Sequence, residues 1–155
     1  MTVAFVAAQP GALREKPLID AGRAGIAQRV SLLVVDDDRS VRLLLGRALA
    51  EDGVDIAEAQ NAEEAQMVAA GRQLDVVIAD VVMPGRSGID LRRDLTHSHP
   101  SLPVVLISGY SPEQVAEFAA RTPATSFLPK PFTIAALRQV VSDALAGRAF
   151  AEQGL

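Results

Sequence analysis

The sequence contains no cysteine and no tryptophan, and aromatic residues make up only 4% of its 155 positions. Without cysteine, neither disulfide bonds nor thiolate chemistry can operate. No apolar run approaches the ~20 residues that a membrane-spanning helix needs. The N-terminal stretch VAFVAA lacks the preceding basic residues of a signal peptide. Basic residues are scattered and the net charge is −4, which argues against a nucleic acid partner. We therefore expect a cytoplasmic protein that binds neither membrane nor nucleic acid.

Apolar runs alternate with amphipathic segments five times along the chain. The runs at 30–35, 54–58, 74–79, 103–107 and 124–128 read as buried strands. Each is followed by a helical pattern that opens on a capping residue; these are Asp38, Asn61, Ser87, Ser111 and Thr133. Glycines at 53 and 147 are expected to end the first and last helices. Because the connections are short, the pattern predicts an α/β fold with a doubly wound parallel sheet.

Residues 1–29 show no such pattern and are rich in alanine, glycine and proline. We expect a flexible N-terminal extension; a wrongly assigned start codon is one alternative and a docking peptide a less favoured one. The folded domain is expected to span residues 30–148, and residues 149–155 to form a frayed tail.

Acidic or small polar residues follow three of the strands, and a lysine follows a fourth. They are Asp36 and Asp37, Asp80, Ser108, and Lys130. The carboxyl ends of parallel strands lie on one edge of a sheet, so these residues are expected to share one crevice. Neighbouring carboxylates repel one another, and Mg²⁺ is the cation that suits a few carboxylates plus water and phosphate oxygens. An ionised carboxylate can itself attack phosphorus. This predicts Asp80 as a nucleophile, Asp36 and Asp37 as metal ligands, and Ser108 and Lys130 as contacts to phosphoryl oxygens.

Four segments carry a resemblance to a known family: LLVVDDD at 32–38, DVVMPGRSG at 80–88, LISG at 106–109 and FLPKPF at 127–132. They resemble the receiver domain of two-component response regulators, over residues 30–147. The resemblance implies a flavodoxin-like, CheY-like sheet of order 2-1-3-4-5 with five helices. It makes Asp80 the phosphoacceptor and Asp36, Asp37, Asp80 and the backbone carbonyl of Val82 the Mg²⁺ ligands.

The same resemblance gives Ser108 and Phe127 the role of switch residues, and implies a cis peptide bond between Lys130 and Pro131. It implies a phosphoacceptor that assists its own phosphorylation and dephosphorylation, not an enzyme. The donor would be a histidine kinase or a histidine phosphotransfer protein. The target would be a protein that contacts the fourth helix, fifth strand and fifth helix.

Three alternatives remain open. The segments LISGY and FLPKPF also resemble receivers that form part of hybrid histidine kinases. A haloacid-dehalogenase-type phosphohydrolase would use Asp36, Asp38 and Ser40 as its nucleophile motif, but leaves Asp80 unexplained. A scaffold that only keeps the fold is the third. Because the sequence stops at Leu155, we expect no DNA-binding or enzymatic output region after the receiver.

Bulky side chains flank the expected pocket at Val82 and Tyr110. Both would slow the approach of water to an acyl phosphate, so we expect a phosphorylated state that is not especially short-lived. His97 and His99 have the spacing of a ligand pair, but their position before Pro100 favours a solvated helix end. Leu43 lies off the apolar stripe of the first helix and is expected to be exposed.

Overall fold

The computed structural model describes residues 17–18, 29–51, 53–121 and 125–152, without the side chains of 119–120 and 148–152. Five strands alternate with five helices: β1 (Val30–Val35), α1 (Arg39–Leu49), β2 (Val54–Ala59), α2 (Ala62–Gly71), β3 (Val76–Asp80), α3 (Gly88–Ser98), β4 (Val104–Ser108), α4 (Pro112–Arg121), β5 (Thr125–Pro129) and α5 (Ile134–Glu152). All strand pairs are parallel and the order is β2-β1-β3-β4-β5. The predicted fold and strand order are confirmed.

The sheet has an apolar layer on each face because side chains alternate along every strand. Leu33 and Val77 point to the layer that α2 and α3 cover. Their neighbours Leu32 and Ile78 point to the layer that α1 and α5 cover. β1, β3 and β4 are buried along their whole length, as expected for a parallel sheet with helices on both faces. Among the described residues, no helix combines the length and apolar character needed to cross a membrane.

The five predicted capping residues all cap their helices. Asp38 Oδ1 accepts from Ser40 N at 2.8 Å. Asn61 Oδ1 accepts from the backbone of Glu64 at 2.8 Å, and Thr133 Oγ1 accepts from the backbone of α5 at 3.0 Å. Ser87 and Ser111 each form a reciprocal box with the residue three positions later. These bonds fix where each helix begins and hence the length of each loop at the sheet edge.

Two predicted helix ends are wrong. α1 ends at Leu49 and not near Glu51, and Gly53 lies in the turn before β2 with a φ of 84°. α5 continues through Gly147 to Glu152. A glycine ends a helix only where it takes a left-handed conformation. Gly147 has no positive φ, and a Cβ there would meet no atom within 4 Å. It is followed by strong helix formers, so its cost of about 1 kcal/mol does not stop the helix.

The predicted extension, residues 1–29, lies outside the described residues except for positions 17, 18 and 29. Of these, Leu18 is buried and belongs to the apolar layer beneath α1 and α5. Residues 153–155 of the predicted tail also lie outside the described part of the chain.

Candidate functional site

Asp80 is the last residue of β3, and its side chain lies at the carboxyl edge of the sheet, 5% exposed. Its two carboxylate oxygens have different partners. Lys130 Nζ donates to Oδ2 at 2.8 Å, and the backbone amide of Val82 donates to Oδ1 at 3.0 Å. The ion pair with Lys130 is shielded from water, since the lysine side chain is only 18% exposed. The carboxylate is therefore held in one orientation by a cation and a backbone dipole.

Asp36 supplies a second buried carboxyl group, directly after β1 and 3% exposed. Burial raises its pKa from 3.8 to about 6. The Asp38 amide, which donates to Asp36 Oδ1 at 2.9 Å, acts in the opposite direction. The negative charges of Asp80 and Asp37 raise the pKa of Asp36 further. Lys130 lowers this pKa, but its effect is the smallest of those named here. The site is thus short of positive charge.

This shortage fits a divalent cation. In the part of the chain that is described, no group of three or more histidine, cysteine, aspartate or glutamate side chains is arranged to hold a metal. That arrangement does not conflict with Mg²⁺, which keeps several waters and binds proteins through one or two carboxylates. The negative charge of Asp80 disfavours the ionised form of Asp36, and a cation near both would remove that penalty.

Ser108 and Lys130 reach the same edge from β4 and from the loop after β5. Ser108 is buried, and its Oγ accepts from Tyr110 N at 2.9 Å. Its backbone carbonyl accepts from Lys130 N at 2.8 Å, which ties the two strand ends together. The Lys130–Pro131 peptide bond is cis, as the resemblance implied. A Cβ on Gly109 would meet nothing within 4 Å, so the space beside Ser108 is open.

Phe127 lies on β5 and is partly buried against the layer beneath α2 and α3. Its ring meets that of Phe118 on α4 edge to face, with centroids 6.3 Å apart and an interplanar angle of 64°. None of the described side chains of α4 is buried, so this ring contact is a main point where α4 is held. The geometry therefore joins the predicted switch residue to a weakly anchored helix.

Two residues of the site were not predicted. Gly88, the first residue of α3, packs so closely against the backbone of Asp80 that a Cβ would lie 2.3 Å from the carbonyl oxygen of Asp80. Arg42 on α1 donates from Nη1 to the carbonyl oxygen of Asp36 at 2.7 Å. The serine before Gly88 signalled a helix start but not this close approach. No sequence pattern signalled the role of Arg42.

The two histidines, His97 and His99, lie outside the site around Asp80. His97 is exposed at the end of α3, where its Nδ1 is 2.9 Å from the carbonyl oxygen of Arg93, as expected for a solvated helix end. His99 lies 2.8 Å from the Ser98 hydroxyl. Both line a pocket of about 400 Å³ between α2 and α3 that does not include Asp80. Leu43 is 44% exposed on α1, as predicted.

Comparison with known proteins was made on the whole chain. The profile of the response regulator receiver domain matches residues 32–142. The transcriptional regulator NtrC of Salmonella typhimurium is 38% identical over 107 residues, which are 69% of this chain and 23% of NtrC. The sensor kinase CckA of Brucella abortus is 33% identical over 138 residues, 88% of this chain and 14% of CckA. A receiver domain protein from Clostridium thermocellum superposes with a TM-score of 0.72 at 26% identity, covering 79% of this chain and 98% of that one. The chain thus spans less than a quarter of the length of these two curated relatives.

Proposed function

The chain belongs to the family of response regulator receiver domains, and we propose that it carries a phosphoryl group on Asp80 in two-component phosphorelay signalling. The observation that supports this most directly is the buried Asp80 carboxylate, held between Lys130 Nζ and a backbone amide beside the second acid Asp36. A carboxylate that served only the fold would not need a buried acid next to it, because two such charges destabilise each other.

In the proposed reaction, a carboxylate oxygen of Asp80 attacks the phosphorus of a phosphohistidine. The P–N bond breaks, a P–O bond forms, and the released imidazole nitrogen takes up a proton. Phosphoryl transfer asks mainly for positioning and charge neutralisation. Lys130, already paired with Asp80 Oδ2, is placed to neutralise the equatorial oxygens of the transferred group. The open space at Gly109 leaves room for the group to enter.

We further propose that Asp36, Asp37, Asp80 and the backbone carbonyl of Val82 hold Mg²⁺. When bound, the cation would supply the positive charge that the buried acids lack and would help to neutralise the charge of a transferred phosphoryl group. Asp37 is exposed next to Asp36, where it can bind the metal directly or through water.

The donor would be a histidine kinase or a histidine phosphotransfer protein. The output would be a change on the surface formed by α4, β5 and α5. A phosphoryl group adds a charge of about −1.5 to −2 at neutral pH, which would draw Ser108 and Lys130 towards it. Phe127 would follow inward and leave its contact with Phe118, and none of the described side chains of α4 is fully buried.

The test is to incubate the protein with Mg²⁺ and either acetyl phosphate or a phosphorylated histidine kinase. Mass spectrometry after borohydride trapping should find one modified residue, Asp80. Asp80→Asn should abolish labelling, and Mg²⁺ chelation should suppress it in the wild type. The matched control is Asp75→Asn, which alters an acid before β3 that binds Ser31 N, far along the strand from the site. Labelling that persists in Asp80→Asn would overturn the proposal.

Labelling at Asp36 instead would favour the phosphohydrolase alternative, which the family assignment does not support. The likeness to the sensor kinase CckA agrees with the other alternative, a receiver of the hybrid-kinase type. Profiling phosphotransfer from purified kinases and from histidine phosphotransfer proteins would separate the two kinds of donor.

A further inference from the structure

Leu18 belongs to the folded core although it precedes β1 by twelve positions and the matched receiver segment by fourteen. It is 4% exposed, and it shares an apolar cluster with Leu49 of α1 and Leu145 of α5. Its neighbour Pro17 is exposed, so the burial is specific to the leucine. Burying a leucine side chain stabilises the fold, but this gain must exceed the conformational entropy lost when the backbone around the leucine is ordered.

A polar contact holds the backbone at the same position. The amide of Leu18 donates to Glu51 Oε2 at 3.0 Å. The other oxygen of that carboxylate, Oε1, lies 3.6 Å from Nη2 of Arg138 on α5. Arg138 is itself buried, and its Nη1 donates to the carbonyl oxygen of Ala48 in α1 at 2.9 Å. One charged network therefore joins the N-terminal segment, the end of α1 and α5.

We propose that the end of the α1–α5 face is a docking site for the chain's own N-terminal segment, with Leu18 as the anchor and Glu51 as its backbone receptor. The apolar cluster with Leu49 and Leu145 receives the Leu18 side chain, and the Glu51 carboxylate accepts a hydrogen bond from the Leu18 amide. It lies at the end of α1 opposite to the Asp36–Asp38 end, so Leu18 itself lies away from the proposed phosphoacceptor pocket. A partner protein that used this end of the face would first have to displace Leu18. The inference does not depend on the proposed phosphoryl chemistry.

Amide hydrogen exchange on the full-length protein tests the docking directly. The Leu18 amide should exchange at least about 100-fold more slowly than in an unstructured peptide of the same sequence, because exchange requires local opening. Glu51→Ala should abolish this protection, whereas Glu58→Ala, which removes an exposed acid of β2, should leave it intact. Exchange of the wild-type Leu18 amide at the unstructured rate would overturn the proposal.

Thermal unfolding supplies a second readout that depends on the side chain. Leu18→Ala should lower the Tm by about 5–10 °C, as expected for removing a buried leucine side chain from a domain of this size. The matched control is Pro17→Ala, which changes an exposed neighbour and should lower the Tm by less than about 2 °C. Equal Tm values for the two variants would show that Leu18 is not docked. Labelling of Asp80 should remain at the wild-type rate in Leu18→Ala, which separates this inference from the function proposed above.

Discussion

The close approach of Gly88 to the Asp80 carbonyl gives a sharp test of how tightly the proposed phosphoacceptor, Asp80, is positioned. Gly88→Ala would place a Cβ 2.3 Å from that oxygen and 3.0 Å from the carbonyl carbon, both backbone atoms. A real Cβ does not approach closer than 3.0 Å, so the backbone at Asp80 or at the start of α3 must move by about 0.7 Å. Overpacking of this kind costs about 1–3 kcal/mol, which corresponds to a fall in Tm of roughly 3–10 °C.

The same displacement of the Asp80 backbone should also lower the rate at which Asp80 is phosphorylated. A misplacement of about 1 Å can cost about 100-fold in rate where catalysis depends on positioning. We therefore expect labelling of Asp80 by acetyl phosphate to slow by one to two orders of magnitude. Initial rates can be followed on phosphate-affinity gels at 20 °C, below the onset of unfolding. Circular dichroism at that temperature verifies that the variant is folded.

Gly46→Ala is the matched control for Gly88→Ala. Gly46 lies inside α1, has no positive φ, and its Cβ would meet no atom within 4 Å. Replacing a helix-interior glycine by alanine should stabilise the protein by roughly 0.5–1 kcal/mol. The two substitutions add the same methyl group, yet opposite shifts in Tm are expected. Wild-type stability and labelling rate in Gly88→Ala would refute the reasoning.

Three further predictions concern the site and its surroundings. Because the folded-state pKa of Asp36 is raised from 3.8 to about 6, the stability it contributes is present below pH 4 and is lost as pH rises through 6. In EDTA, Asp36→Asn should therefore remove a pH-dependent loss on the order of 1 kcal/mol between pH 5 and pH 7.5, measured by urea unfolding at both values; an unchanged profile would contradict this. Phe118→Ala should speed amide exchange in α4, since the edge-to-face contact with Phe127 contributes about 0.5–1.5 kcal/mol; unchanged exchange would show that α4 is held elsewhere. Val82 is 67% and Tyr110 39% exposed, and replacing both by alanine should shorten the lifetime of the phosphorylated state; a lifetime of seconds in the wild type would refute the shielding role.

Most of the fold could be predicted because its signals are local. Each strand is an apolar run, and each helix opens on a residue whose side chain accepts an amide hydrogen bond, as Ser87 does from Asp90 N. Once the alternation of strands and helices is known, few arrangements satisfy short connections and right-handed crossovers. The convergence of Asp36, Asp80, Ser108 and Lys130 then follows from the parallel sheet. The strand order and the roles given to Val82 and Phe127 came from the family resemblance.

The missed features depend on tertiary contacts that no local sequence pattern signals. Leu18 lies in a glycine- and alanine-rich stretch without periodicity, and its receptor is 33 residues away. The bond from Arg42 to Asp36 O depends on how α1 returns over the sheet edge. Gly147 illustrates the reverse case. A glycine near the expected helix end was a sound local signal, but helical neighbours on both sides outweighed it.

The electrostatics of the site show a shortage of positive charge around Asp36 and Asp80. Burial raises the pKa of Asp36 more than any neighbour lowers it, and Lys130 is already committed to Asp80 at 2.8 Å. A fold selected only for stability would replace one of these acids, because an uncompensated buried charge is strongly destabilising. Two buried acids in such an arrangement are compatible with a bound group that supplies the missing positive charge, as proposed above. A phosphoryl group would add further negative charge, so one lysine cannot balance the phosphorylated state either. We therefore expect the proposed phosphoryl transfer to need a bound cation, and labelling of Asp80 to fall when divalent cations are chelated.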